Sequence, residues 1–566
     1  MFSLAGMLRM IRALLYVGAR NFYPLRKHTV LLQSGAGKGF YGNPYYLAEH
    51  ILANPDYARY RVICVSESSA SIPAGLRATR LEVCKVGSFS YILNLATAKY
   101  VINDTSFPVW FVRRVSQCYL NTWHGTPLKT LGKRAAVGVH ANLRNMQRNF
   151  FQCTDILTPN AHTLKVLRDD FMLPGIWSGR FIEKGYPRND VLFRSGKKAG
   201  DIGHVVFMPT WRGTHADPKA YSEDIQGFLD ILVEGLPRSI VWVRLHPLAE
   251  GNVSIRYDER IRAFPVDSEP YEHLAECDAL ITDYSSVMFD FAITRRPVIL
   301  YVPDMDGYRE ERDFCLDIDL LPFPVLTDGQ AVVEALKGSR LAVEQEEAFR
   351  TLIRSESGNS ARDVCMAFFN EPNLEARPER EQRMALFLLP MGEPQAAILM
   401  NCAQKLCRDG WQVTLCVEER HDKAEALRLC REEAGCSFIP ATEDRGMLVW
   451  QRLLHSFLQS FSSSVARRFR QRWRVQEWRR LFGHNYCPRV VVAADEGVGG
   501  RMFSPLHLQS RYVFVRASQG EEYLEQAACV IEFGESEGGE VCRRVYGAVI
   551  AAAGESGVSD KCVVQD

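Results

Sequence analysis

The stretch ALITDYSSVMFD, Ala279 to Asp290, decides how the chain is read. Ala279, Leu280 and Ile281 end a short apolar run with the length of a buried strand. The polar cluster Thr282, Asp283, Tyr284, Ser285, Ser286 follows at once, and Val287, Met288 and Phe289 open a second apolar run that Asp290 closes. A strand that stops at small hydroxyl residues and turns into a helix presents unpaired backbone N–H groups in a field that favours negative charge. Ser285 and Ser286 add two hydroxyl donors at the same place. The cluster is therefore either a phosphate site or an ordinary helix cap, because Asp and Ser are also the preferred capping residues.

The same pattern recurs on either side. A strand over His204–Met208 ends in Pro209, Thr210, Trp211, Arg212 and Gly213; one over Ile240–Leu245 ends in His246 and Pro247; one over Pro297–Val302 follows the DYSS turn. Three polar clusters thus fall at the C-terminal ends of strands of one sheet, where open α/β sheets bind ligands. Upstream, strands are expected over His28–Gln33, Arg61–Val65, Tyr100–Asn103 and Cys118–Thr122, with helical segments between them. This alternation predicts a parallel sheet with helices on both faces. The strand Cys118–Thr122 delivers TWHGTPLK, Thr122 to Lys129, to its C-terminal end. Gly125 and Thr126 leave little bulk around the His124 imidazole, which reads as a general base or as a structural histidine satisfied by backbone. The loop SGAGKGFYGNP, Ser34 to Pro44, is a tight strand-to-helix turn; no Gly-Lys-Ser/Thr closes it, so it is not a P-loop.

Past a charged, proline-containing linker at 371–382 the alternation restarts. Strands over Met384–Leu389 and Trp411–Val417 flank a helix over Ala396–Asp409, and Arg489–Ala493 and Tyr512–Val515 continue the pattern. The tail GESGVSDKCVVQD does not read as the end of an element, so this third domain is expected to be incomplete, and no catalytic motif stands in it. A chain of 566 residues exceeds one core. The expected parts are a leading segment 1–27, a lobe over 28–195, a second lobe over 200–370 and an additional α/β domain over 383–566, with RSGKKAGDIG (194–203) as the linker between the lobes.

Hydrophobic residues make up 47% and charged residues 24%, ordinary for a folded chain, and the net charge of +1 points to no partner. The 16 cysteines show neither a CxxC pair nor a His/Cys cluster at zinc spacing, which fits a reducing cytosol with most of them packed as small apolar residues. No run of about 18 apolar residues occurs, so no membrane-spanning helix is expected. Local charge says more. Residues 1–27 hold Arg9, Arg12, Arg20, Arg26 and Lys27 among many apolar side chains, and the first acid is Glu49. Arg9 and Arg12 interrupt the apolar run and no cleavage site follows, which argues against a signal peptide. The segment reads as a basic amphipathic helix on an anionic membrane surface, or as a helix packed on the protein's own body. Residues 133–150, with Lys133, Arg134, Arg144 and Arg148 and no acid, read as a face for an anionic polymer or lipid, or as a solvated helix face. VARRFRQRWRVQEWRR, Val465 to Arg480, reads as a surface helix for membrane lipid or an anionic polymer; no nucleic-acid motif accompanies it, and no nucleic-acid partner is expected.

Trp123 to Lys129 (WHGTPLK), Pro209 to Arg212 (PTWR), His246 with Pro247, and Ile281 to Asp290 together resemble the motif set of the CDP-glycerol glycerophosphotransferases, which build teichoic acids and related capsule polymers. The resemblance spans residues 28–370. It implies a GT-B-like fold of two Rossmann-like lobes facing a cleft. It also implies an enzyme peripheral to the cytoplasmic face of a bacterial membrane, which moves glycerol phosphate from CDP-glycerol to a hydroxyl of a lipid-linked acceptor and releases CMP. Roles follow residue by residue. The attacking hydroxyl must lose its proton, and His124 is taken as the base. Charge growing on the phosphoryl oxygens and the leaving phosphate needs fixed donors, assigned to Ser285, Ser286 and the helix after them. Thr210 and Asp283 are assigned to the same donor site, and Arg212 and His246 to adding charge or a proton there. Thr126, Lys129, Lys38 and Asn43 are assigned to positioning the acceptor or phosphate, although Lys38 and Asn43 read equally as turn residues. Asp290 is given the ribose by analogy. No acid pair has metal-binding spacing, so neither metal nor cofactor is expected. Two other readings are a transferase using CDP-ribitol or a nucleotide sugar, with the third domain as the start or remnant of a second transferase, and a non-catalytic scaffold at the membrane. The intact His124, His246, Ser285 and Ser286 set speaks against the scaffold.

Overall fold

The computed structural model describes residues 4–69, 72–135, 137–195, 202–210, 212–213, 218–219, 225–245, 254–265, 268–305, 313–338, 350, 352–370, 384–388, 393–418, 423–433, 435–441, 464, 475–483, 486, 488, 490–494, 511–516, 529–532, 545, 547–550 and 562–563. Runs such as VLLQ, VICV and YVIN are buried along their whole length, as expected of parallel strands covered on both faces.

The first sheet is built from β1 (Arg26–Gln33), β2 (Arg61–Val65), β3 (Glu82–Cys84), β4 (Ala98–Asn103), β5 (Cys118–Asn121), β6 (Asp155–Leu157) and β7 (Arg180–Ile182), all parallel, in the order β3-β2-β1-β4-β5-β6-β7. The second lobe begins with β8 (His204–Met208). A two-residue antiparallel pair, β9 (Arg212–Gly213) and β10 (Pro218–Lys219), precedes β11 (Ile240–Val243), β12 (Ile261–Ala263), β13 (Ala279–Thr282), β14 (Val298–Tyr301) and β15 (Val325–Leu326). Its parallel sheet runs β12-β11-β8-β13-β14-β15. The third sheet comprises β16 (Met384–Leu388), β17 (Gln412–Glu418), β18 (Cys436–Ala441), β19 (Val490–Ala494), β20 (Arg511–Arg516), β21 (Cys529–Glu532) and β22 (Cys562–Val563), in the order β18-β17-β16-β19-β20-β21-β22.

Counted from its own first strand, each sheet has the doubly wound order 3-2-1-4-5-6, extended by a seventh strand in the first and third. The crevice of such a sheet opens where the order reverses, between its first and fourth strands. In the second lobe these are β8 and β13, so the PTWR and DYSS loops leave the sheet side by side. In the first they are β1 and β4, so the Ser34 turn and Asp104 do the same. The interior strands match the sequence expectations except β21, between β20 and β22, where no strand was expected. The strands at the sheet margins (EVC, RFI, IRA, VL) are too short or too polar to register as apolar runs. β22 lies in the tail that read as finishing no element, and it pairs with β21.

The helix Ser360–Asn370 closes the stretch read as the second lobe, yet its Phe368 and Phe369 rings pack on Tyr57, Tyr60 and Tyr100 of the first. The third sheet is joined to the first lobe by a shared core. Phe150, Phe151, Leu173 and Ile176 form one apolar cluster with Met384, Leu386, Trp478, Phe482 and Val491. Met172 reaches the other way into the third domain's core, and its sulfur accepts the Phe438 N–H at 3.2 Å.

This junction corrects two expectations. The basic stretch 133–150 is not an open face. Lys133 Nζ donates to the Cys430 carbonyl (3.0 Å), Arg134 pairs with Asp170 (2.7 Å), and buried Arg148 donates to the carbonyls of Phe111 and Pro108; the Arg144 side chain lies outside the described residues. Nor is the end of the arginine-rich segment a surface: Trp478 stacks with Phe482 and Tyr486 in the core, and buried Arg480 pairs with Glu477. Residues 465–474 lie outside the described residues, as do both linkers' central residues.

The leading helix, Leu4–Phe22, packs on the protein's own body along one side and leaves an apolar row exposed on the other. Ala13, Tyr16 and Ala19 are buried, with the Tyr16 hydroxyl donating to the Val112 carbonyl at 2.8 Å. Leu4, Met7, Leu8, Ile11, Leu14, Leu15 and Phe22 are exposed. Among the described residues no helix is long and apolar enough to cross a membrane.

The shared core makes Trp478 a stability determinant of the first lobe as well as the third. Trp478→Ala is expected to cost about 3–5 kcal/mol, measured by chemical denaturation with the signals of both regions lost together; loss confined to the third domain would contradict the common core.

Candidate active site

β5 ends at Asn121, and the chain turns sharply. Trp123 takes a left-handed conformation (φ +54°), which in a non-glycine residue costs about 1–3 kcal/mol and clusters at functional sites. The Asn121 side chain holds the turn by accepting the Trp123 N–H at 2.9 Å. The indole then backs the His124 imidazole, ring centroids 4.2 Å apart. Nδ1 of His124 lies 2.9 Å from the Asp104 carbonyl oxygen. A carbonyl only accepts, so Nδ1 carries the hydrogen and Nε2 keeps its lone pair. The His124 side chain is solvent-exposed, while its neighbours Trp123, Gly125 and Thr126 are buried. Desolvation by the surrounding protein pushes its pKa below the ordinary histidine value, the Asp104 carbonyl opposes this, and the nearby Arg188 charge adds to the lowering. In its neutral form His124 therefore presents Nε2 as an acceptor.

The second lobe meets this loop directly. Gly125 has φ +144°, and a Cβ there would lie 2.9 Å from Ser286 Cβ and closer still to its Oγ. Ser286 opens the helix Val287–Ala292, and its hydroxyl does not cap that helix. The helix has only six residues, so the donor capacity here rests more on the hydroxyls and local N–H groups than on a long dipole. Behind the contact, Arg188 Nη1 donates to the His124 carbonyl (3.0 Å) and Nη2 to Asp290 Oδ2 (2.5 Å). The loops from the ends of β5 and β13 are therefore held face to face.

The family described as CDP-glycerol:poly(glycerophosphate) glycerophosphotransferase matches residues 15–370, the span that carries both loops. The chain belongs to this family. It is 28% identical over 373 residues to the teichoic acid poly(glycerol phosphate) polymerase of Bacillus spizizenii, covering 60% of this chain and 92% of that protein. It is 30% identical over 314 residues to the teichoic acid glycerol-phosphate transferase of Staphylococcus aureus, covering 50% and 79%. A solved structure of the wall teichoic acid polymerase TagF shares the fold, with TM-score 0.54 and 23% identity over 66% of this chain and 98% of that one.

Within this glycerophosphotransferase the expected residues separate into two groups. Ser286 stands against the His124 loop, and the Ser285 hydroxyl accepts the Val287 N–H at 3.4 Å at the start of the same helix. Asp283 and Thr210 are spent on each other: the buried carboxylate accepts the Thr210 N–H (2.9 Å) and hydroxyl (3.0 Å), as well as the Tyr284 N–H (2.7 Å). They tie the two switch-point loops of the second sheet together. Asn43, 1% exposed, donates to the carbonyls of Thr122 and Trp123 and accepts the Arg188 N–H (3.2 Å). Thr126 is buried and accepts from Asn160 at 3.1 Å. Both shape loops instead of facing solvent, which corrects their assignment as direct acceptor contacts. Asp290 is 2% exposed; besides Arg188 it accepts Tyr271 Oη (2.6 Å) and Asn189 Nδ2 (3.2 Å), so both oxygens are occupied and neither is turned to a ribose. Lys38 is exposed, and Lys129 pairs through its backbone with Phe314 of the second lobe. The Arg212 side chain and all of His246 lie outside the described residues, although β9 places the Arg212 backbone just beyond β8. Among the described residues no cluster of His, Cys, Asp and Glu has metal-holding geometry.

Several functional residues escaped the sequence reading. Asp104, at the end of β4, is buried and accepts the Gly35 N–H at 3.1 Å; burial pushes its pKa up to about 7 against that bond. Glu269 of the second lobe accepts from Gly42 N–H (2.9 Å) and the Tyr46 hydroxyl (2.6 Å) of the first. Glu356, raised to about 8 by burial, accepts from Tyr186 and Asn189 backbone and side-chain N–H groups respectively. Arg188 stands in YPRND, directly after the turn at Gly185; that charged run was its one sequence signal.

Gly125→Ala is expected to hold the lobes apart, because neither the backbone angle nor the Ser286 contact tolerates a methyl group. CMP release should fall by on the order of 100-fold in a protein that still folds, with Tm lowered by the strained interlobe contact; full activity in that variant would refute the close approach.

Proposed function

We propose that this chain transfers glycerol phosphate from CDP-glycerol to a hydroxyl of a lipid-linked acceptor, in teichoic acid or capsule polymer synthesis. The observation that carries the reading is the meeting of the His124 loop with Ser286, inside the span matched by the family. His124 Nε2 takes the proton of the attacking hydroxyl. The new O–P bond forms at the phosphorus that bears glycerol, the pyrophosphate P–O bond breaks, and CMP leaves with the electron pair. Ser285 and Ser286 donate to the phosphoryl oxygens as charge builds there. Arg212 and His246, which follow β8 and β11 in the sequence, supply charge or a proton to the departing CMP. Thr210 and Asp283 fix the donor loops, and Asn43 and Thr126 fix the base loop. Lys38 and Lys129 are the cations we assign to the phosphates of the acceptor chain.

CMP release is to be compared for CDP-glycerol, CDP-ribitol and nucleotide sugars with a lipid-linked acceptor; release from CDP-glycerol is expected, and release only from another donor would replace the substrate while keeping the site. His124→Gln is expected to lower kcat by about 10²–10⁴-fold with donor affinity little changed. The wild-type rate should fall at acid pH as the imidazole protonates, with its midpoint below the usual histidine range because desolvation disfavours the cation. Unchanged turnover in the variant removes the base assignment.

The acceptor's lipid places the work at a membrane surface, and the exposed row Leu4, Met7, Leu8, Ile11, Leu14 and Leu15 supports docking there, with Arg9 for anionic headgroups. The paired substitution Ile11→Glu and Leu15→Glu faces outward and is expected to weaken binding to anionic vesicles by on the order of 100-fold. Equal sedimentation of variant and wild type with such vesicles would dismiss this helix as the docking face.

A further inference from the structure

We infer that Arg188 is a positioning residue that couples the base loop to the donor lobe: its two terminal nitrogens bridge the His124 carbonyl and the Asp290 carboxylate, so the proton acceptor is held in place only while the second lobe is seated. The inference rests on the role proposed above for His124.

The geometry supports it from several sides. Arg188 leaves the first lobe in the turn Pro187–Asn189. Its guanidinium lies between the rings of Tyr186 and Tyr271, 5.1 and 4.9 Å from their centroids. Tyr271 belongs to the second lobe and donates its hydroxyl to the same Asp290 oxygen that Arg188 contacts. The Arg188 backbone N–H donates to Asn43, whose side chain holds the carbonyls of Thr122 and Trp123. Backbone and side chain of one residue therefore grip the 122–124 turn from two directions. A planar guanidinium can span two acceptors at fixed angles, which an ammonium cannot. A buried ion pair adds little net stability compared with an apolar pair of the same shape, so stability alone gives no reason for a charge here. The bridge to His124 does, because no apolar side chain can supply it.

The charged and titratable groups around the bridge are Asp290, Tyr186, Tyr271, Asp104, His124 and, beyond Asp290, Glu356. Burial works against the Arg188 charge, but Asp290, Tyr271 and Tyr186 keep it protonated above its ordinary range. That cation in turn opposes protonation of His124.

The test uses the full-length chain and three variants: Arg188→Gln, Arg188→Lys, and the paired Arg188→Gln with Asp290→Asn, which strands no charge in the core and carries the measurement if the first fails to fold. Donor affinity, kcat for CMP release and the titration of His124 are read on each, the imidazole resonance being assigned by its absence in His124→Gln. The paired variant is expected to bind donor within a few-fold of wild type and to lose on the order of 100-fold in kcat, with His124 titrating at higher pH. Lysine keeps the charge without the bridge, so it is expected to return the titration but not the turnover. Wild-type kcat in the paired variant, or a His124 titration unmoved by Arg188→Gln, overturns the inference. Should the wild type release no CMP, the proposed reaction falls, while the His124 titration still decides whether Arg188 governs that imidazole.

Discussion

The two lobes can work as one site because they touch at a residue with no side chain. Gly125 brings the loop after β5 onto Ser286, and every other interlobe contact keeps that approach in register. Arg188 and Asp290 form the central tie, and removing one member of such a buried pair typically costs about 3–5 kcal/mol. Around it Glu269 holds Gly42 and Tyr46, the Tyr45 hydroxyl donates to Glu272, and Leu128 to Thr130 pair by backbone with Asp313 to Cys315. These are directional bonds, those of Asp290 and Glu269 buried and those at Glu272 and Asp313 near the surface. They add less to stability than to uniqueness of arrangement, since a shifted register would leave donors and acceptors buried without partners.

The consequence for chemistry is a division of labour by lobe. In the proposed reaction the first lobe contributes the proton acceptor, an imidazole whose tautomer is set by a backbone carbonyl, and the second contributes the hydroxyl donors. The left-handed Trp123 marks where local strain is held at the boundary between them. Its indole backs the imidazole and also packs on Phe150 and Phe171, so the strained turn is anchored in the core of the first lobe.

What the sequence disclosed follows from range. The interior strands were legible because a parallel strand covered on both faces must be apolar throughout, and the loops at their ends because polar residues stop such runs abruptly. Margin strands of two or three residues carry no comparable pattern. The site was half legible for a related reason. Asn43, Thr126, Thr210, Asp283 and Asp290 are the right residue types for ligand contact, but the same hydroxyls, amides and carboxylates also brace loops, and only coordinates show which acceptor each one faces. Arg188, Glu269 and Tyr271 act through partners more than a hundred residues away or across the cleft, and no local pattern encodes that. The basic stretch at 133–150 misled because its described charges are met inside the protein: Lys133 by a carbonyl of the third domain, Arg134 by Asp170 and Arg148 by carbonyls of the first lobe.

The core shared between the first lobe and the third domain bears on how the chain comes into being. Phe150, Phe151, Leu173 and Ile176 are synthesised early, while Trp478, Phe482 and Val491, which complete their cluster, come late. During vectorial synthesis the first lobe can wind its sheet but cannot close its apolar side until Val491 has left the ribosome. Its nascent form therefore carries an unfinished hydrophobic surface through most of translation, a state that favours chaperone engagement and joins completion of the first lobe to that of the third domain.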